Sequence, residues 1–304
     1  MKLSVNRFCL FVLILNFNSG LNLFAQHYTS KLIDADDKTP VAFANIGILN
    51  SEMGTNSAED GSFSLNIPQE LTNRTLSIFL IGYEDLKLPV SEFIELSKSS
   101  NNTLQLKKKA NQLSEVLVKP AKLAVARLGN HIDCEKNGSM LPFPYVLEEK
   151  KKNNGKIKRA ADTLTEVGTL MKVKKRKTYI DSITIHVGSC TYPEILFRVN
   201  IYELVDGAPK NILTEPLYIK RSGSEVDKIL KIDVTDRNLV VNNNFIVSVE
   251  KVKDLGKGIF NVCGSLAGAP TYLRIASQQT SFFKIPLVSF GISAYVTFSE
   301  ELKD

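Results

Sequence analysis

An all-β chain built as two sandwiches is predicted by three features of the 304-residue sequence. Apolar and polar side chains alternate with period two in most apolar runs, as in half-buried strands. Clusters of Gly, Pro, Asn and Asp break these runs every 8 to 15 residues between 28 and 106. Strands are not interleaved with long helical patterns, which argues for antiparallel sheets over a βαβ fold. A hydrophobic content of 43% is enough for the core to come from apolar burial.

The first element, residues 1–25, reads as a secretory signal peptide. Lys2 and Arg7 precede the apolar run Phe8 to Leu15, and the segment ends at the small residue Ala25. Eight apolar residues fall far short of the ~20 that span a bilayer. No later run approaches that length, so no transmembrane segment is expected after signal removal. Loss of residues 1–25 lowers the net charge from +6 to +4. The expected localisation is exported, in the periplasm or at the outer membrane and cell surface.

Residues 26–118 read as the first domain. YTSKLIDA is extended and DDKTP turns at Pro40. Ala44, Ile46 and Ile48 share one face of the next strand. In 55-TNSAEDGSFSLNIP-68, Asp60-Gly61 makes a turn, and Phe63, Leu65 and Ile67 then alternate with Ser62, Ser64 and Asn66. Leu76, Ile78 and Leu80 lie opposite Phe79 and Ile81. Gly82 permits a bend, and Tyr83 can bury its ring while its hydroxyl stays wet.

The series Pro40, Ala44, Gly54-Thr55, Asp60-Gly61-Ser62-Phe63 and Gly82-Tyr83 resembles the carboxypeptidase-like regulatory domain. LSEVLVKP at 113–120 is similar to the segment that often follows it. The resemblance covers residues 27–118 and implies a prealbumin-like sandwich of seven strands. It implies a place at the N-terminus of an exported two-domain protein of the Bacteroidota, a setting that includes TonB-dependent receptors. It is a resemblance of fold and carries no activity of its own.

Residues 119–177 read as a basic, partly irregular linker. AKLAVARL could make two helical turns, and Leu141, Phe143, Tyr145 and Val146 call for cover. Eleven Lys or Arg between 150 and 177 face only Asp162 and Glu166, a solvated run in which nucleic acid is not the expected partner. Residues 178–304 read as a jelly-roll-like antiparallel sandwich of about eight strands. There Phe197, Val199 and Ile201 face inward and Arg198, Asn200 and Tyr202 outward.

The chain offers little for catalysis. Its three histidines, His27, His131 and His186, are followed three residues on by Ser30, Cys134 and Ser189, so the H-x-x-E of a zinc carboxypeptidase is missing. His131-x-x-Cys134, beside Asp133 and Glu135, reads as a chance pair in a surface loop. His186 reads as a sheet-surface residue. Gly264 to Gly268 has its serine in the wrong place for a nucleophile elbow. Phosphate-loop and dinucleotide motifs do not occur.

Cys134, Cys190 and Cys263 remain after the signal, an odd number that is no disulfide framework. One bridge, Cys190 to Cys263, is compatible with an oxidising compartment. Tyr192, Tyr202, Tyr218, Tyr272 and Tyr295 are the aromatic candidates for a glycan surface, and the loop 264–272 could approach a ligand closely. Asp162-Thr163-Leu164 and Asp181-Ser182-Ile183 are similar to O-glycosylation acceptors of exported Bacteroidota proteins.

No residue is assigned a catalytic, cofactor-binding or metal role, and no cofactor is expected. The reading is a protein without catalysis that contacts envelope proteins or glycans. Alternatives are an accessory component of an envelope hydrolase or TonB-dependent uptake system, or a hydrolase with an unrecognised pair of carboxylates.

Overall fold

A computed structural model describes residues 26–99, 102–109, 123–143, 165–253, 255–266, 268–275 and 281–299. The signal segment, Tyr145, Val146, the basic run up to residue 164 and the triplet at 162–164 lie outside the described residues.

The first seven strands are β1 (Gln26–Asp34), β2 (Asn45–Ile48), β3 (Gly54–Asn56), β4 (Ser62–Ile67), β5 (Thr75–Phe79), β6 (Leu86–Pro89) and β7 (Thr103–Leu106). They form a three-stranded sheet, β4-β1-β7, and a four-stranded sheet, β3-β2-β5-β6. This is the expected sandwich of seven strands, except that β1 and β7 pair in parallel. The predicted faces hold. Ala44, Ile46, Ile48, Leu76 and Ile78 are buried, and Phe63, Leu65 and Ile67 point inward between exposed Ser64 and Asn66. One element was not anticipated: helix α1 (Val90–Lys98) closes one side of the core with Val90, Phe93 and Ile94.

Gly61 has φ +79°, and a Cβ there would lie 2.3 Å from the Leu32 carbonyl oxygen, so the turn after Asp60 needs glycine. Asp60 Oδ1 accepts from the Ser62 N–H at 2.9 Å and fixes the start of β4. Tyr83 departs from expectation, because its hydroxyl is not left to water. It donates to Asp34 Oδ2 at 3.0 Å. Burial raises the pKa of Asp34, but the Asp36 N–H, Lys108, the Asp37 N–H and Tyr83 outweigh this and hold it at about 2.

Fifteen further strands follow. They are β8 (Leu123–Gly129), β9 (Ser139–Pro142), β10 (Thr165–Met171), β11 (Thr178–Cys190), β12 (Glu194–Val205), β13 (Ala208–Asn211), β14 (Leu217–Ser222), β15 (Ile229–Asp233), β16 (Val240–Val241), β17 (Phe245–Lys251), β18 (Phe260–Ser265), β19 (Thr271–Ile275), β20 (Phe283–Ile285), β21 (Ser289–Phe290) and β22 (Ile292–Ser299). One sheet runs β13-β12-β17-β10-β19-β20, with β14 on β12. The other runs β21-β18-β11-β22-β8, with β15 and β16 on β11 and β9 on β18. Their inner faces share one core, to which β12 and β17 give Phe197, Val199, Ile201, Phe245, Val247 and Val249, and β11 and β22 give Ile183, Ile185, Ala294 and Val296.

Two sequence expectations are corrected here. The stretch read as linker supplies β8, β9 and β10, which are paired inside the two large sheets. AKLAVARL is mostly strand, not helix: β8 pairs along β22 from Leu123↔Ser299 to Gly129↔Ser293. Its neighbours supply a paired edge, and that outweighs a modest helix preference. Phe143 is buried against the rings of Phe197 and Phe260.

The third correction concerns the outward face of the seven-stranded sheet. Arg198, Asn200 and Tyr202 do point away from the core, yet all three are buried. Register aligns Arg198↔Glu250, Glu250↔Glu166 and Glu166↔Arg274 across four adjacent strands. The charges along this rung run plus, minus, minus, plus, so each carboxylate has an outer guanidinium to offset its like-charged neighbour.

Arg198 Nε and Nη2 donate to Glu250 Oε2 at 2.9 and 2.8 Å. Arg274 grips Glu166 Oε2 through Nε at 2.9 Å and through Nη2. Asn200 Nδ2 donates to Glu166 and Glu250, and Ser248 Oγ to Glu166. The first sandwich covers one end of the rung: Arg198 also donates to the Phe43 carbonyl at 2.9 Å and to Asn45 Oδ1 at 2.5 Å. Phe43 holds φ +59° as it presents that carbonyl. Phe282 covers the other end, 4.2 Å from the Arg274 guanidinium.

Candidate functional site

The outward face of the eight-stranded sheet carries the chemistry that the rest of the described surface lacks. β11 turns Ile183, Ile185 and Val187 into the core and places Ser182, Thr184 and His186 on the opposite side. His186 is only 4% exposed, because the segment after β8 folds back over it. In that segment His131 Nδ1 lies 3.1 Å from His186 Nε2, with the rings edge to face at 4.5 Å.

Arg127 Nη1 also lies 3.1 Å from His131 Nδ1. A guanidinium can only donate, so His131 Nδ1 is the acceptor and His186 Nε2 carries a proton toward it. Burial is the largest cause lowering the pKa of His186, to about 4, and a proton on His131 and the Arg127 charge lower it further. At neutral pH both imidazoles are therefore neutral. His131 is lowered by the same desolvation and by Arg127.

A disulfide fixes this arrangement. Cys134 is bonded to Cys263 of β18 across 129 residues of chain, and Cys190 is the free thiol. The expected Cys190–Cys263 bridge is therefore wrong, and His131-x-x-Cys134 is no chance pair. Cys190 faces Phe260 in the β11–β18 register, three residues short of Cys263, so it cannot reach that partner. Gly188 sits under the bridge, where a Cβ would come within 3.0 Å of Cys134 Sγ and 2.8 Å of Met140 Cγ. The result is a cavity of about 230 Å³ lined by His131, His186, Met140, Ile229 and both bridged cysteines. The Lys228–Glu135 ion pair, at 2.7 Å, lies on its rim.

Beyond the rim stands Tyr295. Its hydroxyl is 3.3 Å from Arg127 Nη1, and its ring lies 5.8 Å from the Arg127 guanidinium carbon and 6.0 Å from Lys231 Nζ. Among the five candidate tyrosines only Tyr295 is exposed. Tyr202 is buried beneath Arg274, Tyr218 packs on Phe43, and Tyr192 and Tyr272 are half-buried.

The loop after β18 is strapped down rather than open, since Asn130 bonds both the N–H and the carbonyl of Ala269. Ser182 of the triplet at 181–183 is buried in β11, which corrects the expectation of an acceptor there. His27 is exposed in β1, far along the chain from this site. Among the described residues no three His, Cys, Asp or Glu converge on a point that could hold a metal ion. The sequence signal for this site was the pair His131 and Cys134 in a chain with three histidines. Their partners came from strands 55 and 129 residues away.

Residues 29–118 match the CarboxypepD_reg-like domain family. The matched residues take in most of β1, all of β2 to β7 and α1, the sandwich that meets Arg198. None of the curated proteins matches the chain. Among solved structures, the cysteine protease and lectin-like domains of Cwp84, a surface layer associated protein of Clostridium difficile, align at TM-score 0.36 and 10% identity over 91% of this chain. The chain spans 59% of the length of that structure. The same clostridial protease after propeptide cleavage aligns at TM-score 0.36 and 9% identity, covering 93% of this chain and 73% of that one. A structure of infectious bursal disease virus, Gx strain, aligns at TM-score 0.23 and 7% identity over 89% of this chain and 62% of that one.

Proposed function

We propose that this chain is an exported, non-catalytic binding protein that contacts glycans or proteins in a bacterial cell envelope. We divide it into a CarboxypepD_reg-like unit over 26–118 and a second sandwich that starts at 123, not at 178. The observation that carries the reading is the disulfide-pinned cavity beside exposed Tyr295. It is a preformed recess with apolar walls and a few fixed polar groups, the general form of a ligand site.

Its imidazoles hydrogen-bond each other instead of a nucleophile, which suits recognition better than proton transfer. A bridge between Cys134 and Cys263 suits an oxidising compartment and so supports export. No helix among the described residues is long and apolar enough to cross a membrane.

The test is a glycan array and a capture from envelope extract with the full-length protein, each repeated with Tyr295→Ala. Capture of one partner class, lost in the variant, supports the proposal. Turnover of an envelope polymer by the purified protein overturns it.

A further inference from the structure

We propose that the sheet face centred on Tyr295 binds an acidic saccharide, with the sugar ring stacked on Tyr295 and its carboxylate held by Arg127 and Lys231. This rests on the binding-protein reading above and names the ligand class for the same region.

Strand register builds the platform. Tyr295 stands in β22 opposite Arg127 of β8 on one side and Ser182 of β11 on the other. Lys231 of β15 stands opposite Thr184, one strand further across. Ala294 and Val296 point into the core, so alternation turns Tyr295 outward, where it is 38% exposed. The tyrosine ring is thus flanked by a cation on each side, at 5.8 and 6.0 Å.

Two cations that flank one exposed aromatic ring distinguish this face. Lys228 on the neighbouring rim is neutralised by Glu135. Among the described residues Arg127 and Lys231 have no carboxylate within 4.0 Å. Arg127 spends its Nη1 on His131 and Tyr295, which fixes its planar fork beside the ring and leaves further N–H groups free for a carboxylate. A ligand that complements this face is anionic and has a flat apolar side.

A pyranose uronate has both. Its C–H face covers an aromatic ring, and its carboxylate lies at the ring edge. Tyr295 itself lies inside the sheet, because β22 is paired with β11 and β8, so a ligand meets it through the ring face and not by strand addition. An acidic peptide is the competing ligand, since β8 ends the sheet with one side unpaired. The hydroxyls of Ser182, Thr184 and Ser293 lie on the same side of the sheet, and Ser293 Oγ is buried with no hydrogen-bond partner.

The experiment is isothermal titration of the full-length protein with an oligogalacturonate, its neutral methyl ester, a poly-glutamate peptide and a single-stranded oligodeoxynucleotide. Arg127→Met, Lys231→Met and Tyr295→Ala accompany the wild type, and each must keep its melting temperature. The expected result is binding of the oligogalacturonate, weakened about tenfold by esterification or by Tyr295→Ala and about fivefold by either cation variant. Affinity should also fall as salt rises.

Equal binding of acid and ester overturns the assignment, as does tighter binding of the peptide or the oligonucleotide. Glycan binding that Tyr295→Ala leaves intact removes this site and spares the binding-protein reading. No binding to any glycan or envelope component removes both.

Discussion

Replacing Arg198 by Met keeps the aliphatic stem and deletes four hydrogen bonds: two to Glu250, one to the Phe43 carbonyl and one to Asn45 Oδ1. Glu250 then stays buried beside Glu166 without its guanidinium. Breaking a buried ion pair by removing one partner costs about 3–5 kcal/mol. Each stranded acceptor on the first sandwich adds about 1 kcal/mol. The expected loss is about 5–7 kcal/mol, a large part of the ~5–15 kcal/mol that holds typical proteins together.

Urea denaturation of the whole chain measures this loss, and a fall of roughly 10–25 °C in melting temperature should accompany it. Adding Glu250→Gln to Arg198→Met should restore at least about 2 kcal/mol, because the uncompensated charge is gone. A single-variant cost under about 1 kcal/mol, or a second substitution that only adds its own penalty, would refute the view of the rung as a balanced set.

Three further outcomes are expected. His186 has a folded pKa of about 4, below its unfolded value of 6.5, so the unfolded chain binds the extra proton. Its contribution is therefore intact above pH 6.5 and is lost between 6.5 and 4, by at most about 3 kcal/mol; thermal melts across that range should decline, less so in His186→Phe. Cys134→Ser removes a 129-residue loop closure and should cost up to about 5 kcal/mol in denaturant, an effect that reducing agent mimics in the wild type alone. Gly61→Ala sets a Cβ against the Leu32 carbonyl at φ +79° and should cost more than about 2 kcal/mol in chemical denaturation, whereas Gly207→Ala meets nothing within 4 Å and should cost less.

The fold was legible where periodicity and turn chemistry agreed. β4 follows Asp60-Gly61 with clean alternation, and β12 and β17 put their apolar sets inward. The sequence also held the signal for α1, since Val90, Phe93 and Ile94 share a helical face, but Pro89 and neighbouring strand patterns masked it. Alternation says which side of a sheet a residue takes. It does not say what lies on that side: Arg198 faces outward as expected, yet Phe43 and Asn45 cover it. The site was less legible still. The Cys134–Cys263 bond and the His131–His186 contact join segments distant in sequence, and no local pattern encodes such proximity.

The junction between the sandwiches has a consequence for how chains of this kind are assembled. The surface that meets the first sandwich sets the polar Arg198 rung beside an apolar seam, where Ile81 and Phe79 join the core of the second sandwich and Phe43 meets the Tyr218 ring. A severed second half would bare that seam to water and clump. Re-joining is more demanding, because Arg198 fits only a neighbour that offers a carbonyl where Phe43 offers its own. Modules joined this way can be exchanged only for a newcomer that covers the apolar seam and also presents an acceptor to Arg198.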